Sequence, residues 1–362
     1  MTTAFKHTDD SVLLGAVENI RKERTQAGLD GLVGGLEAVI ISTEPEHFAP
    51  AVSELLGNTG HDVAMSYSQG DHDVCVLSLE GSADLLVQSR KAGVNPFAGA
   101  NKGAKTGNFP NTRLETYVFK CPDVAGYFAI QSKRGVRFLG DAVVSTPNYD
   151  YVQTMPSRFT GNALGFIQWK KAESDYFTPA CTALNAGFKK PGKPYLKHIT
   201  DLGHVATRVR AEERDAAILE FMELTNYDFA FAVYVDFLNS ITNVARLSDK
   251  DYAQVFTSGI APFVSPETSG PTELFIYNYG PRGHHMAFTT GDIDATVAAL
   301  KANGTGFLSD VVGSRAEGLK QVFTKMSPHT LLVNEYIQRF DGFDGFFTKS
   351  NVTLLTKSTE NQ

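Results

Sequence analysis

The chain has no apolar run long enough to span a bilayer, which takes about 20 residues, so no membrane partner is expected. Its N-terminus shows no apolar core before a small-residue cleavage site, so no secretory leader is expected. Only three cysteines occur, Cys75, Cys121 and Cys181, and none forms a CxxC pair. That argues against a disulfide framework and for a reducing, cytoplasmic setting. No Lys/Arg cluster carries interleaved aromatics, and the net charge of -7 disfavours a nucleic-acid surface. Gly31 to Gly35 is glycine-rich but lacks the strand, GxGxxG and helix of a nucleotide site.

What the chain does have is an internal repeat. Thr116-Tyr-Val-Phe119, Asp123, Gly135 and Phe138-Leu139 recur without a gap as His285-Met-Ala-Phe288, Asp292, Gly304 and Phe307-Leu308. Such a repeat signals two copies of one unit, and 362 residues are enough for two cores. Residues 1–33 read as an N-terminal helical extension, with Val12, Leu13, Val17 and Ile20 at helical spacing. Residues 34–178 and 179–362 then read as two domains, joined through the proline-rich stretch from about Ala172 to Pro194. Each half starts on a strand, Leu36–Ile41 or Leu202–Val209, followed by a helix. Each closes on another strand, Tyr149-Asp-Tyr-Val-Gln in one and Asn334-Glu-Tyr-Ile-Gln in the other. The class is α+β.

Aligning the halves sets His204 opposite Glu37, His285 opposite Thr116 and Glu335 opposite Asp150, with 16 extra residues in the second half before its last strand. Two imidazoles and one carboxylate form the three-ligand face of non-haem Fe(II) sites, which leaves positions open for substrate and O₂. Neighbouring strands suit such a face, because alternate side chains point into one half-barrel. The competing reading is that these are ordinary polar residues chosen from nine histidines and forty acids. His284 is either a further ligand, a pocket group or a residue pointing away. Strand alternation lets only one of His284 and His285 reach a metal easily, and the match to Thr116 favours His285. His61, Asp62, Asp71, His72 and Asp73 are dense in potential ligands, but read as a solvated loop.

Gly283-His-His-Met-Ala-Phe288, Gln321-Val-Phe-Thr-Lys325, Glu335-Tyr-Ile-Gln-Arg339 and Phe347-Thr-Lys-Ser-Asn351, with Leu238-Asn-Ser240, resemble the 4-hydroxyphenylpyruvate dioxygenase and 4-hydroxymandelate synthase family of the vicinal oxygen chelate superfamily. The resemblance covers the second half and, more loosely, the first. It implies two tandem domains of paired βαβββ modules, each an open half-barrel, with a lid helix over residues 340–358. It implies Fe(II) on His204, His285 and Glu335 as cofactor, with O₂ as co-substrate and a small 2-oxo acid as substrate. Ser240, Gln321, Phe323, Phe347, Asn351 and His284 would touch that substrate. The family is also homo-oligomeric.

The chain departs from this family where the substrate is read. The Asn-Glu-Pro turn that helps recognise a phenol hydroxyl is replaced by Ala253–Pro262, in which Ser258 is the candidate substitute. A second phenylalanine of the C-terminal motif is Val352, and the usual glutamine before the second ligand is His284. Sites that bind a hydroxyl discriminate through such polar groups. The expected substrate is therefore 4-hydroxyphenylpyruvate or another arylpyruvate, with benzylic hydroxylation or an aliphatic 2-oxo acid as alternatives. A non-catalytic ligand-binding protein of the same fold is the reading from a different class.

Overall fold

The computed structural model describes residues 9–171, 174–343, 345–360 and 362. The first eight residues of the expected extension, two of the expected linker (172 and 173) and one of the expected lid (344) lie outside that set.

The first half contains α1 (Ser11–Ala27), β1 (Leu36–Thr43), α2 (Phe48–Asn58), β2 (Asp62–Gln69), β3 (His72–Ser78), β4 (Asp84–Arg90), β5 (Arg113–Lys120), α3 (Val124–Lys133), β6 (Val144–Ser145), β7 (Tyr149–Gln153), β8 (Ala163–Trp169) and β9 (Thr182–Ala183). The second contains β10 (Ile199–Arg208), α4 (Arg214–Leu224), β11 (Asp228–Val235), β12 (Ser240–Arg246), β13 (Ala253–Ser258), α5 (Gly270–Tyr279), β14 (Arg282–Thr290), α6 (Ile293–Ala302), β15 (Val312–Ser314), β16 (Leu319–Phe323), β17 (Val333–Arg339) and α7 (Lys349–Ser358). The first sheet runs β6-β7-β8-β5-β1-β4-β3-β2-β9, and the second runs β15-β16-β17-β14-β10-β13-β12-β11. Apart from β9 the two orders are the same. Each half is thus two βαβββ modules, joined through the antiparallel pair β1/β5 or β10/β14.

Local sequence explains these elements. On α6, Ile293, Val297 and Leu300 are buried at helical spacing, and Asp292 caps the first turn by accepting from the Ala295 N–H at 3.0 Å. Asp123 caps α3 in the same way, accepting from Gly126. A cap of this kind contributes about 1 kcal/mol. Gly304 ends α6 at φ 89°, a conformation in which a side chain is strained. One apolar cluster spans both halves, including Phe119, Tyr127, Phe166, Phe221, Phe256, Phe288 and Tyr336. The helix α1 belongs to this joint core. Arg24 is buried and donates to the backbone oxygens of Thr225 and Tyr227 beyond the end of α4, and pairs with Asp228 at 2.7 Å.

Several expectations need correction. The domain boundary at residue 178 falls too early, because β9 still pairs with β2 in the first sheet. His61, in the connection between α2 and β2, is not solvated. It is fully buried, its Nε2 lies 2.9 Å from the Ala83 oxygen, and Asp62 to Asp73 form the hairpin β2/β3.

The alignment of the halves also shifts. Leu36 pairs with Phe119 and Ala38 with Val118, while Leu202 pairs with Phe288 and His204 with Ala287. The counterpart of His204 is therefore Ala38, not Glu37. Ala287 pairs with Glu335 and Val118 with Gly165, so Glu335 matches Gly165 on β8, not Asp150 on β7. Asp150 lies at the protein's edge, paired with Lys170 at 2.7 Å. Under this alignment the 16 extra residues shrink to one. Thr116 does match His285, since it pairs with Ile40 as His285 pairs with Ala206.

Candidate metal centre

The three expected ligands come together. His204 sits on β10, His285 on the adjacent β14, and Glu335 on β17, which pairs with β14 on its other side. His204 Nε2 lies 3.1 Å from Glu335 Oε2, His285 Nε2 lies 3.3 Å from the same oxygen, and the two Nε2 atoms are 3.4 Å apart. Ligand atoms about 2.1 Å from one ion would stand roughly 3.0 Å apart in an octahedron and 3.4 Å apart in a tetrahedron. The triangle fits one ion. All three residues are buried, at 1%, 7% and 1% exposure, and among the described residues they are the only group of His, Cys, Asp or Glu that meets as a candidate metal site. Glu335 Oε2 is buried with no hydrogen-bond donor of its own, which a cation would remedy. Burial, reinforced by His284, His204 and Arg208, holds the His285 imidazole well below the usual histidine range. It is therefore neutral and ligand-competent at pH 7.

The first half shows what the same position looks like without ligands. Ala38, Thr116 and Gly165 replace His204, His285 and Glu335. A side chain at Gly165 would meet the Tyr151 hydroxyl at 2.6 Å. That hydroxyl donates to Gln153 Oε1 at 2.9 Å, and Gln153 Nε2 donates to Thr116 Oγ1 at 2.8 Å. A neutral hydrogen-bonded plug fills the place that corresponds to the candidate metal site.

Two polar relays fix the ligands from behind. Asn351 Nδ2 donates to Gln321 Oε1 at 2.9 Å, and Gln321 Nε2 donates to Glu335 Oε1 at 2.7 Å. Gln321 and Asn351 were expected to touch substrate. Both are buried, Gln321 bonded to the carboxylate and Asn351 to Gln321, and neither lines the cavity. Partners of this kind set a ligand's orientation and basicity. On the other side, His285 Nδ1 lies 2.8 Å from His284 Nδ1, and His284 Nε2 lies 2.8 Å from Gln362 Oε1. With Nε2 of His285 facing the metal, its Nδ1–H donates to His284, whose own Nε2–H donates to Gln362.

Alternation therefore misplaces His284. Opposite Ala206 and Thr207 of β10, the β14 partners are His285 and Gly283, so His284 is the extra residue of a bulge. A bulge re-aims side chains, and both imidazoles end on the cavity side. Glu115 is the corresponding bulge residue in the first half.

The cavity beside the triangle holds about 40 Å³ and is lined by the remaining candidates Ser240, His284, Phe323 and Phe347, together with Arg208, Thr242, Val255, Thr257, Thr272, Val352, Leu355 and Thr356. The Phe323 ring lies 4.7 Å from His285 and that of Phe347 5.4 Å from His204. Ser240 Oγ is 3.2 Å from Thr272 Oγ1. Val352, Leu355 and Thr356 belong to α7, so the expected lid lines the cavity, but it is helical only from Lys349 to Ser358 and not from residue 340. So small a volume admits one or two waters. Ser258, the candidate substitute for the asparagine, points away from the cavity, and its neighbour Thr257 faces in. Sequence reasoning missed Arg208, Thr257 and Phe346. For Arg208 a signal existed, because it lies four residues after His204 on the same strand face.

The βαβββ modules, paired across β10/β14 into a half-barrel around the ligands, decide the fold. It is the vicinal oxygen chelate fold. A triple mutant of 4-hydroxymandelate synthase from Streptomyces coelicolor superposes with a TM-score of 0.65 at 18% identity, over 90% of this chain and 98% of that one. A fusion protein of a xylose isomerase-like TIM barrel and 4-hydroxyphenylpyruvate dioxygenase superposes with a TM-score of 0.62 at 15% identity. The match covers 96% of this chain but only 58% of the fusion protein. A halotolerant catechol dioxygenase follows, with a TM-score of 0.51 at 13% identity over 87% of this chain and 90% of that one. No protein-family model matches the chain, and no curated protein matches it in sequence. Within this fold the first half has Ala38, Thr116 and Gly165 where the second has His204, His285 and Glu335. No helix among the described residues is long and apolar enough to cross a membrane.

Proposed function

We propose that this chain is an Fe(II)-dependent dioxygenase that oxidatively decarboxylates and hydroxylates a 2-oxo acid of the arylpyruvate type. The observation that carries the reading is the buried triangle of His204, His285 and Glu335, with Glu335 Oε2 lacking any donor. Two neutral imidazoles and one carboxylate suit Fe(II), leave open positions on one side and give a bound ion a net positive charge. When bound, the iron supplies a site for chelation by a 2-oxo acid and for reaction with O₂.

The chain's own residues then have defined tasks. Gln321 holds the Glu335 carboxylate, and His284 holds His285 in the tautomer that presents Nε2. Phe323, Phe346 and Phe347 exclude water around the reacting end and form a wall for an aromatic ring. Overall, the bond between the carboxylate and the 2-oxo carbon breaks and CO₂ leaves. One oxygen atom of O₂ enters the new carboxylate and the other hydroxylates the rest of the same molecule. The substrate supplies all four electrons, so no second reductant is needed. The second half is the catalytic one, and the first is its non-catalytic partner.

Ring hydroxylation giving a homogentisate-type product and benzylic hydroxylation giving a mandelate-type product use the same metal and differ in where the ring lies. Reconstitution with Fe(II) without oxygen, followed by O₂ addition with phenylpyruvate, 4-hydroxyphenylpyruvate or branched aliphatic 2-oxo acids, tests the reading. The expected result is O₂ uptake matched by CO₂ release, with product analysis separating the two outcomes. An iron-loaded protein inert toward every 2-oxo acid would overturn it.

A further inference from the structure

The inner face of the second sheet is layered. Beside the metal come Ala206, Val255, Val244 and Phe231, which pair across β10, β13, β12 and β11 and pack with Phe346 and Phe347. Two residues further along each strand the row turns polar, with Arg208 paired to Thr257 and Thr257 to Thr242. His204 and Arg208 share a strand face, and four strand residues span roughly 13 Å. The cavity that touches His285 and Glu335 is also lined by Arg208, Thr242 and Thr257.

Arg208 is 4% exposed. Its guanidinium donates to the Pro271 oxygen at 3.2 Å and to Thr359 Oγ1 at 3.0 Å, and lies 4.6 Å over the Phe275 ring. All three partners are neutral, and among the described residues no carboxylate forms an ion pair with it. A guanidinium has five N–H groups in a fork that matches a carboxylate. Thr257 Oγ1 is buried and has no hydrogen-bond partner. Burial lowers Arg208 to about 9, which leaves it a cation at neutral pH.

A buried arginine without a carboxylate is not by itself diagnostic. Arg113 and Arg282 are also fully buried, and they donate to Asn101 and to backbone oxygens. They do not line this cavity. The first half provides the sharper control. Ser42, Gln88 and Glu115 hold the positions of Arg208, Thr257 and His284. There the side chains satisfy one another. Gln88 Nε2 donates to Ser42 Oγ at 2.7 Å and to Glu115 Oε2 at 2.9 Å, and Arg90 pairs with Glu115 at 3.5 Å. The catalytic half lacks this closure, and its spare donors face the cavity.

We propose that Arg208, with Thr257 and Thr242, is a carboxylate subsite, so that the substrate is a 2-oxo acid with a second carboxylate at the end remote from the metal. The assignment deepens the proposed function and rests on it for the 2-oxo end only. Arg208 takes the carboxylate through two parallel N–H donors, Thr257 adds its hydroxyl, and the apolar row holds the middle of the molecule.

The test compares phenylpyruvate with 4-carboxyphenylpyruvate, which differ only at the remote end, by two readouts. One is kcat/KM for O₂ uptake by the Fe(II)-loaded enzyme, and the other is calorimetric binding to the Zn(II)-loaded protein, which needs no turnover. Wild type is expected to prefer the carboxylated compound by about 100-fold or more in both. Arg208→Gln abolishes that preference in both readouts. Thr257→Val, close to isosteric, lowers the preference by roughly 10-fold and covers the case in which Arg208→Gln fails to fold. Equal binding of the two compounds by wild type, or an unchanged preference in Arg208→Gln, overturns the subsite. Turnover of phenylpyruvate without such a preference leaves the dioxygenase reading standing and removes the subsite. Preferential binding without turnover of either compound does the reverse.

Discussion

Glu335 and Gly165 occupy one register position in the two halves, as the third strand neighbour of the β10/β14 and β1/β5 pairs. Where the first half has no side chain, the Tyr151 hydroxyl fills the space and closes a neutral hydrogen-bond chain to Thr116. Where the second half has a carboxylate, the space faces two imidazoles and a cation is the natural complement. One fold thus carries a plugged and an open version of the same site.

Gln321→Leu removes the N–H that orients Glu335 and leaves Glu335 Oε1 without that donor. Fe(II) affinity is expected to fall by about 10–100-fold with the fold intact, read by metal titration under anaerobic conditions. An unchanged affinity would show that the Gln321–Glu335 bond does not tune the metal. Asn351→Ala acts through Gln321 and is expected to give a smaller loss in the same direction.

Arg24→Met removes a buried guanidinium that serves the backbone beyond α4 and the Asp228 carboxylate, and so the link between the N-terminal helix and the second half. A loss of about 3 kcal/mol is expected in urea unfolding, because the partners stay behind in an apolar setting. A loss under about 0.5 kcal/mol would mean that α1 is not integral to the fold.

Burial lowers His61 to about 4. The unfolded chain takes up a proton near the ordinary histidine value of about 6.5 and the folded one does not. The stability tied to His61 is therefore complete above pH 6.5 and is lost as the pH falls toward 4. Thermal unfolding of His61→Gln is expected to lose stability less steeply than wild type between these values. Parallel curves for the two proteins would contradict the assignment.

Glu273 works with the opposite sign. Burial raises its carboxyl to about 7, although the Gly259 and Ala211 N–H groups donate to it. Its contribution is complete below about 4.5 and is lost as the pH rises through 7. Glu273→Gln keeps an acceptor oxygen without the charge, and should raise stability at pH 8 by roughly 1–3 kcal/mol relative to pH 5. A variant that is no more stable than wild type at pH 8 would refute this.

Much of the site was legible in the sequence because the repeat pointed to positions, and His285 could be found opposite Thr116. The order of modules followed from strand and helix patterns repeated at one offset. The two remaining alignments failed for definite reasons. Asp150-Tyr-Val-Gln looks like Glu335-Tyr-Ile-Gln, yet the counterpart of Glu335 to Gln338 is Gly165-Phe-Ile-Gln168. The glutamines confirm this, since Gln168 accepts from the first N–H of α3 and Gln338 from that of α6. Glu37 and Gly203 are matching bulge residues of β1 and β10, which leaves Ala38 opposite His204, and the bulge that turns His284 inward inserts a single residue that no periodicity reveals. Arg208 went unseen because a cation on a strand reads as exposed until its neighbours are known. Gln321 and Asn351 were found as polar residues of the site, but only the structure shows that they serve the carboxylate.

The central claim is that the second half holds one Fe(II) and uses it to oxidise a 2-oxo acid. Its most direct test is the stoichiometry of O₂ consumed and CO₂ released by the anaerobically iron-loaded protein, run under ¹⁸O₂ with mass analysis of the product. The account predicts equal amounts of the two gases, with both labelled atoms in the product and no turnover in Glu335→Ala. A protein that carries one iron per chain and consumes no O₂ with any aromatic, carboxylated or aliphatic 2-oxo acid would contradict it.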